Sequence, residues 1–257
     1  MKKLAGTLFI RDGEKYDYCY KEAIQCLLEF CDHVYVCDAG STDGTTENLI
    51  SLFDKNNNLT ILHRTKEEWQ EQQGREKLNY FTNVVIQKAQ EDGYEYQFNL
   101  QADEIVTPDS YEFIRLAIAE GNEAYLCRRI NLWASPYLQL NVPHHRKPCS
   151  TEIVRLTKTN YRSYGDAESV AAPFVDNYTS LIKIFHMGFV RLRDKMVDKC
   201  VHIQRDVFLM EPDEKLDGMT EFDPWKWFDK TDLVPIEQLL PPLIEQWAKE
   251  RTYPEID

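Results

Sequence analysis

Val34-Tyr-Val-Cys-Asp-Ala-Gly-Ser-Thr-Asp-Gly-Thr45 decides how the rest of this chain reads. Val34 to Cys37 is a short run with no apolar–polar alternation, which suits a strand buried on both faces. The run ends on the carboxylate of Asp38, Gly40 permits a tight turn, and Ser41, Thr42 or Asp43 can cap the helix marked by Leu49, Ile50 and Phe53. Upstream, Leu4 to Ile10 is another buried-type strand. It leads through polar Arg11-Asp12-Gly13-Glu14 to Tyr20, Ala23, Ile24, Leu27, Leu28 and Cys31, whose spacing places them on one helix face. Downstream, Leu59 to Leu62 reads as a third strand, and the very polar stretch from Arg64 to Glu76 belongs on the surface or in a mobile loop. Leu78, Phe81, Val85 and Ala89 mark a helix, and Tyr94 to Leu100 a strand ending at Gln101-Ala102-Asp103-Glu104. Thr107-Pro108-Asp109 is a helix start with Thr as N-cap, and Gly121 a stop.

Strands alternating with helices specify an α/β fold, Rossmann-like, with a largely parallel sheet flanked by helices. Ligands of such sheets sit beyond the carboxyl ends of the strands. That topology gathers Asp38 and Asp103-Glu104 along one rim. Past Gly121 the alternation fades into loops around Trp133, the His144-His145-Arg146-Lys147 cluster and a strand at Glu152 to Leu156, a region suited to a second substrate. Ile236, Leu239, Leu240, Leu243, Ile244 and Trp247 describe an amphipathic C-terminal helix that Pro241-Pro242 can split. The expected division is one domain over residues 1–205, in halves 1–110 and 111–205, and a helical extension over 206–257 packed on it.

The chain has 257 residues, 43% of them hydrophobic and 28% charged, with 10 Gly and 11 Pro, which excludes collagen-like and low-complexity classes. Its net charge of -13 repels nucleic acid and anionic lipid unless a local basic patch intervenes, and a phosphate ester substrate then calls for a divalent cation or an Arg/Lys cluster. Seven cysteines without a CxxC pair read as reduced structural thiols. Met1-Lys2-Lys3 before the first strand mimics a signal peptide only faintly, because Arg11-Asp12 breaks the apolar stretch, and no segment has the length of a membrane span. A cytoplasmic protein is expected.

The strand, helix and Val34-to-Thr45 motif resemble the N-terminal half of the family-two nucleotide-sugar glycosyltransferases, whose fold is called GT-A. The resemblance covers roughly residues 4 to 110, and Asn99-Leu-Gln-Ala-Asp-Glu-Ile105 stands where that family carries its acidic DxD-type motif. It implies a nucleotide diphosphate sugar as donor, a UDP-sugar favoured, held by Asp38 and Ala102-Asp103 with Arg11, and Mn2+ or Mg2+ at Asp103 and Glu104. Two positions depart from the pattern: Ala39 replaces a second acid at the first motif, and Gln101 the first acid of the later one. A single strong Asp still suffices for a divalent cation that shares its shell with phosphates.

Ile184-Phe-His-Met-Gly-Phe-Val-Arg-Leu-Arg-Asp-Lys195 is similar to a later family segment, which implies that His186 completes the metal site and that Arg191 or Arg193 neutralises the diphosphate. Arg75 and Lys77, in Gln73-Gly-Arg-Glu-Lys-Leu-Asn79, stand where the family places a basic residue against the donor. The resemblance implies a base taking the acceptor hydroxyl proton, with Asp166 the first choice and Glu168 the second; on a strand the two would face opposite ways, so one at most serves. Trp133 and Tyr137 are candidates to stack on a sugar, and the His144 to Lys147 patch could meet an anionic acceptor. Each of these residues has a plain structural alternative: a turn, a core histidine, a solvated loop. The expected activity is inverting, metal-assisted transfer to a glycan, lipid-linked, protein or nucleic acid acceptor. Nucleotidyl transfer and a nucleotide-sugar-binding protein without turnover are the alternatives; Ile10-Arg11-Asp12-Gly13 is a poor phosphate loop for the former.

Overall fold

The protein was analysed as a computed structural model, which describes residues 2–251. In chain order it runs β1 (Leu4–Ile10), α1 (Tyr20–Phe30), β2 (His33–Asp38), α2 (Thr45–Phe53), β3 (Leu59–His63), α3 (Lys66–Glu71), α4 (Glu76–Glu91), β4 (Tyr96–Asn99), β5 (Glu104–Val106) and α5 (Ser110–Glu120). It continues with β6 (Ala124–Trp133), β7 (Ser135–Leu140), β8 (Glu152–Lys158), β9 (Ser163–Tyr164), β10 (Ser169–Val170), β11 (Lys183–Phe189), α6 (Arg193–His202), β12 (Leu233–Pro235) and α7 (Pro242–Lys249).

The main sheet has the order β12-β7-β6-β8-β4-β1-β2-β3, and β11 pairs with both β6 and β5. Strands β4, β1, β2 and β3 are mutually parallel, while β8, β6, β7 and β12 continue the sheet in antiparallel pairs. The register Ile10↔Asp38 and Thr7↔Asn99 brings the carboxyl ends of β1, β2 and β4 to one rim. Period-two alternation builds the layers. Leu4, Leu8, Val34 and Val36 join the core under α1 and α5, whereas Ala5, Tyr35 and Cys37 face Phe81, Val85 and Ala89 of α4. Leu27, fully buried on α1, anchors the first layer; its truncation to Ala would cost about 2–5 kcal/mol.

Several elements differ from the sequence expectation. The polar stretch after Arg64 contains α3, stabilised by a reciprocal Thr65/Glu68 capping box and by burial of Trp69. The turn into α2 is not closed by an ordinary N-cap: Gly44 takes that position with φ 95°, and Asp43 Oδ1 accepts from Thr45 N–H and Oγ1 instead. Gly40, at φ 75°, is required because a Cβ would lie 2.5 Å from the Thr65 backbone. Thr107 does not cap α5; its hydroxyl bonds that of Ser110 and Asp109 holds the N-cap position. The extension is only partly helical. Its first stretch makes short turns around Phe222 and Phe228, β12 then adds an edge strand to β7, and α7 begins at Pro242, so Ile236, Leu239 and Leu240 lie outside the helix. Proline at the first helical position starts a helix readily and cannot continue one. The seven cysteines are all free.

Candidate active site

A cavity of about 720 Å3 lies at the carboxyl rim, bordered by Ile10-Arg11 after β1 and by Gln101-Ala102-Asp103 after β4. Strand β5 brings in the other half of the site: it pairs antiparallel with β11 so that Glu104 stands opposite His186, and Met187 N–H donates to Asp103 O at 2.7 Å. His186 also registers with Asn131 of β6. Asn131 gives its amide hydrogens to the carbonyls of Cys149 (3.1 Å) and Ser150 (3.5 Å), so its Oδ1 accepts from His186 Nδ1 at 2.9 Å. The proton therefore sits on Nδ1, and Nε2 turns a lone pair toward Asp103 Oδ1, 3.8 Å away. Gly188 leaves room for this ring, since a Cβ there would run into the imidazole. Burial pulls the His186 pKa down to about 4 against the attraction of Asp103, so the ring is neutral near pH 7.

Burial works against the charge on Asp103 as well, but His186, which is charged at the acid pH where Asp103 titrates, and then Lys199 and Arg191 outweigh burial and bring its pKa to about 2. Arg191 donates to Asp103 Oδ2 (3.0 Å) and to Tyr16 O (2.5 Å), fully buried and stacked over Tyr18, and so stands behind the carboxylate rather than in the cavity. Lys199, unlike Arg191, lines the cavity: its Nζ donates to Gly188 O at 3.0 Å and lies 3.8 Å from Asp103 Oδ2. Arg193 opens α6 and does not border the cavity.

The remaining acids separate clearly. Glu104 is fully buried; its Oε1 accepts from Arg155 (2.7 Å) and Arg129 (3.4 Å) and its Oε2 from Gln101 N–H (3.0 Å), so both oxygens face the interior rather than a ligand. Glu168 accepts from Arg129 and from Ser150 Oγ (2.7 Å) and N–H (3.1 Å); burial opposes its charge, and these partners overcome it and hold the pKa at about 2. Asp166 lines the cavity at the tip of the β9–β10 hairpin, partly exposed, with Oδ1 accepting from Glu168 N–H at 3.3 Å. The turn is tight: Gly165 and the non-glycine Ala167 take φ 62° and 60°, and such strain clusters at functional sites.

Asp38 is 2% exposed, with Oδ1 accepting from Ser41 N–H and Oδ2 from Thr46 Oγ1, and it braces the turn instead of bordering the cavity. Its neighbour in that brace is Asp12, whose Oδ1 accepts from Thr42 N–H at 2.7 Å and ties the ends of β1 and β2 together. Arg11 and Arg75 do line the cavity. Arg11 donates to Ala39 O and Gly40 O and lies over Trp69; Lys77 approaches the same indole, and Arg75 covers Phe208. Trp133, packed on Phe189, Phe222 and Phe228, and Arg146, paired with Asp232, line the cavity too, whereas Tyr137 does not border it.

Sequence reasoning missed Lys199, Asn131, Arg129 and the stacked pair Tyr16 and His202. A signal existed for Arg129 and for its companion Arg155: each interrupts an apolar strand run, Ile130 and Leu132 following one, Ile153-Val154 and Leu156 flanking the other. A guanidinium in such a place needs a buried acid. Lys199 carries no comparable mark.

No protein-family model matches the chain, and no curated protein matches it by sequence. Among solved structures, it is similar to S. aureus TarS at 14% identity and TM-score 0.45, over 79% of this chain and 39% of that one. Similarity to residues 1-349 of S. aureus TarS in complex with UDP is 12% identity and TM-score 0.45, over 83% of this chain and 68% of that one. The chain thus spans well under half the length of the longer TarS chain. Among the described residues no helix is long and apolar enough to cross a membrane.

Proposed function

We propose that the protein is a glycosyltransferase that moves a sugar from a nucleotide diphosphate sugar, by preference a UDP-sugar, to an acceptor hydroxyl in one inverting displacement. The observation that supports this most is the convergence of Asp103 and the lone-pair nitrogen of His186 in a cavity that also carries the partly exposed carboxylate of Asp166.

Mn2+ or Mg2+ fits the pair, because a carboxylate oxygen and a neutral imidazole are ligand types such ions take, the rest of the shell coming from phosphate oxygens and water. Among the described residues no group of three or more His, Cys, Asp and Glu is placed to hold an ion. The cation would supply charge neutralisation for the departing diphosphate. On the protein's side, Arg191 fixes the orientation of Asp103, and Lys199 adds a donor aimed at the same negative charge. Arg11 and Arg75 border the donor end of the cavity. Asp166 takes the acceptor proton; Glu168, with its oxygens engaged and a pKa of about 2, is the weaker base. Residues 206–251 contribute Leu216, Trp227 and Phe228 to the same cavity, which makes the extension part of its wall rather than an appendage.

Calorimetric titration with a panel of nucleoside diphosphates, in Mn2+, in Mg2+ and in EDTA, tests the reading. UDP should bind best and with metal, Asp103→Ala should remove the metal-dependent part, and Asp166→Asn should bind donor and fail to transfer. Absence of nucleotide binding, or full activity in both variants, refutes it.

A further inference from the structure

We infer that a second cavity, beside the first, receives the body of an uncharged or amine-bearing oligosaccharide acceptor. Which end of that acceptor reacts rests on the glycosyltransferase reading; its binding does not. The cavity measures about 690 Å3 and shares Asp166 and Glu168 with the 720 Å3 cavity, so a molecule lying in one reaches the carboxylates bordering both. Its volume is that of drug-sized ligands, a short oligosaccharide rather than a single ring.

The walls match that chemistry. Two aromatic side chains border it with more than half their surface in solvent, Tyr164 at 57% and Phe174 at 53%. An apolar ring left in water is unfavourable, and a ligand with an apolar face relieves it. Ser150, Ser169 and Glu152 border the same cavity. A sugar ring has both properties at once: a C–H face that covers an aromatic ring and an edge of hydroxyls that donate to carboxylates and exchange hydrogen bonds with serines. A lipid chain would meet these polar groups without satisfying them.

Charge narrows the class further. Among the described residues no Lys or Arg borders this cavity. Glu168 is compensated by Arg129 and Glu152 stands opposite Arg128 of β6, which leaves Asp166 to set a negative sign within a chain of net charge -13. A phosphate or uronate polymer would be repelled, and a neutral or amine-bearing saccharide would not. The β9–β10 hairpin carries Tyr164 and Asp166 two residues apart, which puts the aromatic ring and the carboxylate on one short element.

The test is direct titration of the full chain with cellotetraose, maltotetraose, chitotetraose and the glucosamine tetramer, and with a polyol phosphate oligomer of similar length, beside a titration with UDP. At least one of the four saccharides should bind and the polyol phosphate should not. Tyr164→Ala and Phe174→Ala should each weaken saccharide binding by about three- to tenfold and leave UDP affinity unchanged; both side chains are exposed, so the fold tolerates the changes. Tighter binding of the polyol phosphate, no binding of any of the four, or alanine variants that bind as the unaltered protein does would overturn the inference. Saccharide binding without UDP binding would sustain the cavity assignment and strike only the donor reading.

Discussion

Glu104→Gln separates a structural acid from a metal ligand. In the folded chain Glu104 Oε1 lies 2.7 Å from Arg155 Nη2 and 3.4 Å from Arg129 Nη1, with all three side chains at 1% exposure or less. Glutamine keeps the shape and one acceptor oxygen but removes the charge that compensates two buried guanidiniums. Removing one partner of a buried ion pair costs about 3–5 kcal/mol. Arg129 retains Glu168, so the lower end, about 3 kcal/mol, applies. At about 2–4 °C per kcal/mol for a chain of this size, the melting midpoint should fall by roughly 6–12 °C. Urea unfolding followed by tryptophan fluorescence, with the slope unchanged, gives the free energy. The folded variant should still show the unaltered Mn2+ dependence of UDP binding, because neither Glu104 oxygen faces the cavity. A loss below about 1 kcal/mol, accompanied by weakened metal dependence, would refute the structural assignment and return Glu104 to the metal.

Lys199→Gln should lower UDP affinity about tenfold or more, the worth of a charge-assisted hydrogen bond; unchanged affinity would place the leaving diphosphate away from Asp103. The low pKa of Glu168 predicts a pH signature. Its folded value of about 2 lies below the ordinary 4.5, so its stabilisation is complete above about pH 4.5 and is lost as pH falls toward 2. The difference in urea midpoint between the unaltered protein and Glu168→Gln should shrink across that window; a difference independent of pH would show that the Arg129 and Ser150 contacts do not hold the carboxylate.

The first half of the fold was legible because local signals and tertiary outcome agree there. The runs at Leu4 to Ile10 and Val34 to Cys37 became β1 and β2, and the one-faced spacing from Tyr20 to Cys31 became α1. The elements that were not foreseen draw on partners distant in sequence. Strand β5 is three residues long and exists through pairing with β11, some eighty positions on. Trp69 is buried because Phe81 stacks on it, although its neighbours are charged. Motif position singled out Asp103 and His186, and the register between β5 and β11 explains why those two meet. Asp38 read as a ligand because it ends a strand at the rim. Its environment could not be read, since the groups that occupy it, Ser41 N–H and Thr46 Oγ1, become its partners only once the turn has closed.

Arg129 ties this legible half of the site to the illegible one. Through Nη1 it contacts Glu104, one residue from Asp103; through Nη2 it holds Glu168, two residues from Asp166; and its Nε donates to Ser150 O at 2.8 Å. The same Ser150 donates to Glu168, and its carbonyl also receives the Asn131 amide that sets the His186 tautomer. A single buried guanidinium therefore fixes the hairpin carrying Asp166 relative to the strand carrying Glu104, with rotamers locked by hydrogen bonds on both sides. The Ala167 strain and the buried charges of Glu104, Arg129 and Arg155 oppose folding locally. They persist because each is over-determined by its neighbours, and the result is a hairpin tip whose Asp166 is presented to both cavities at once.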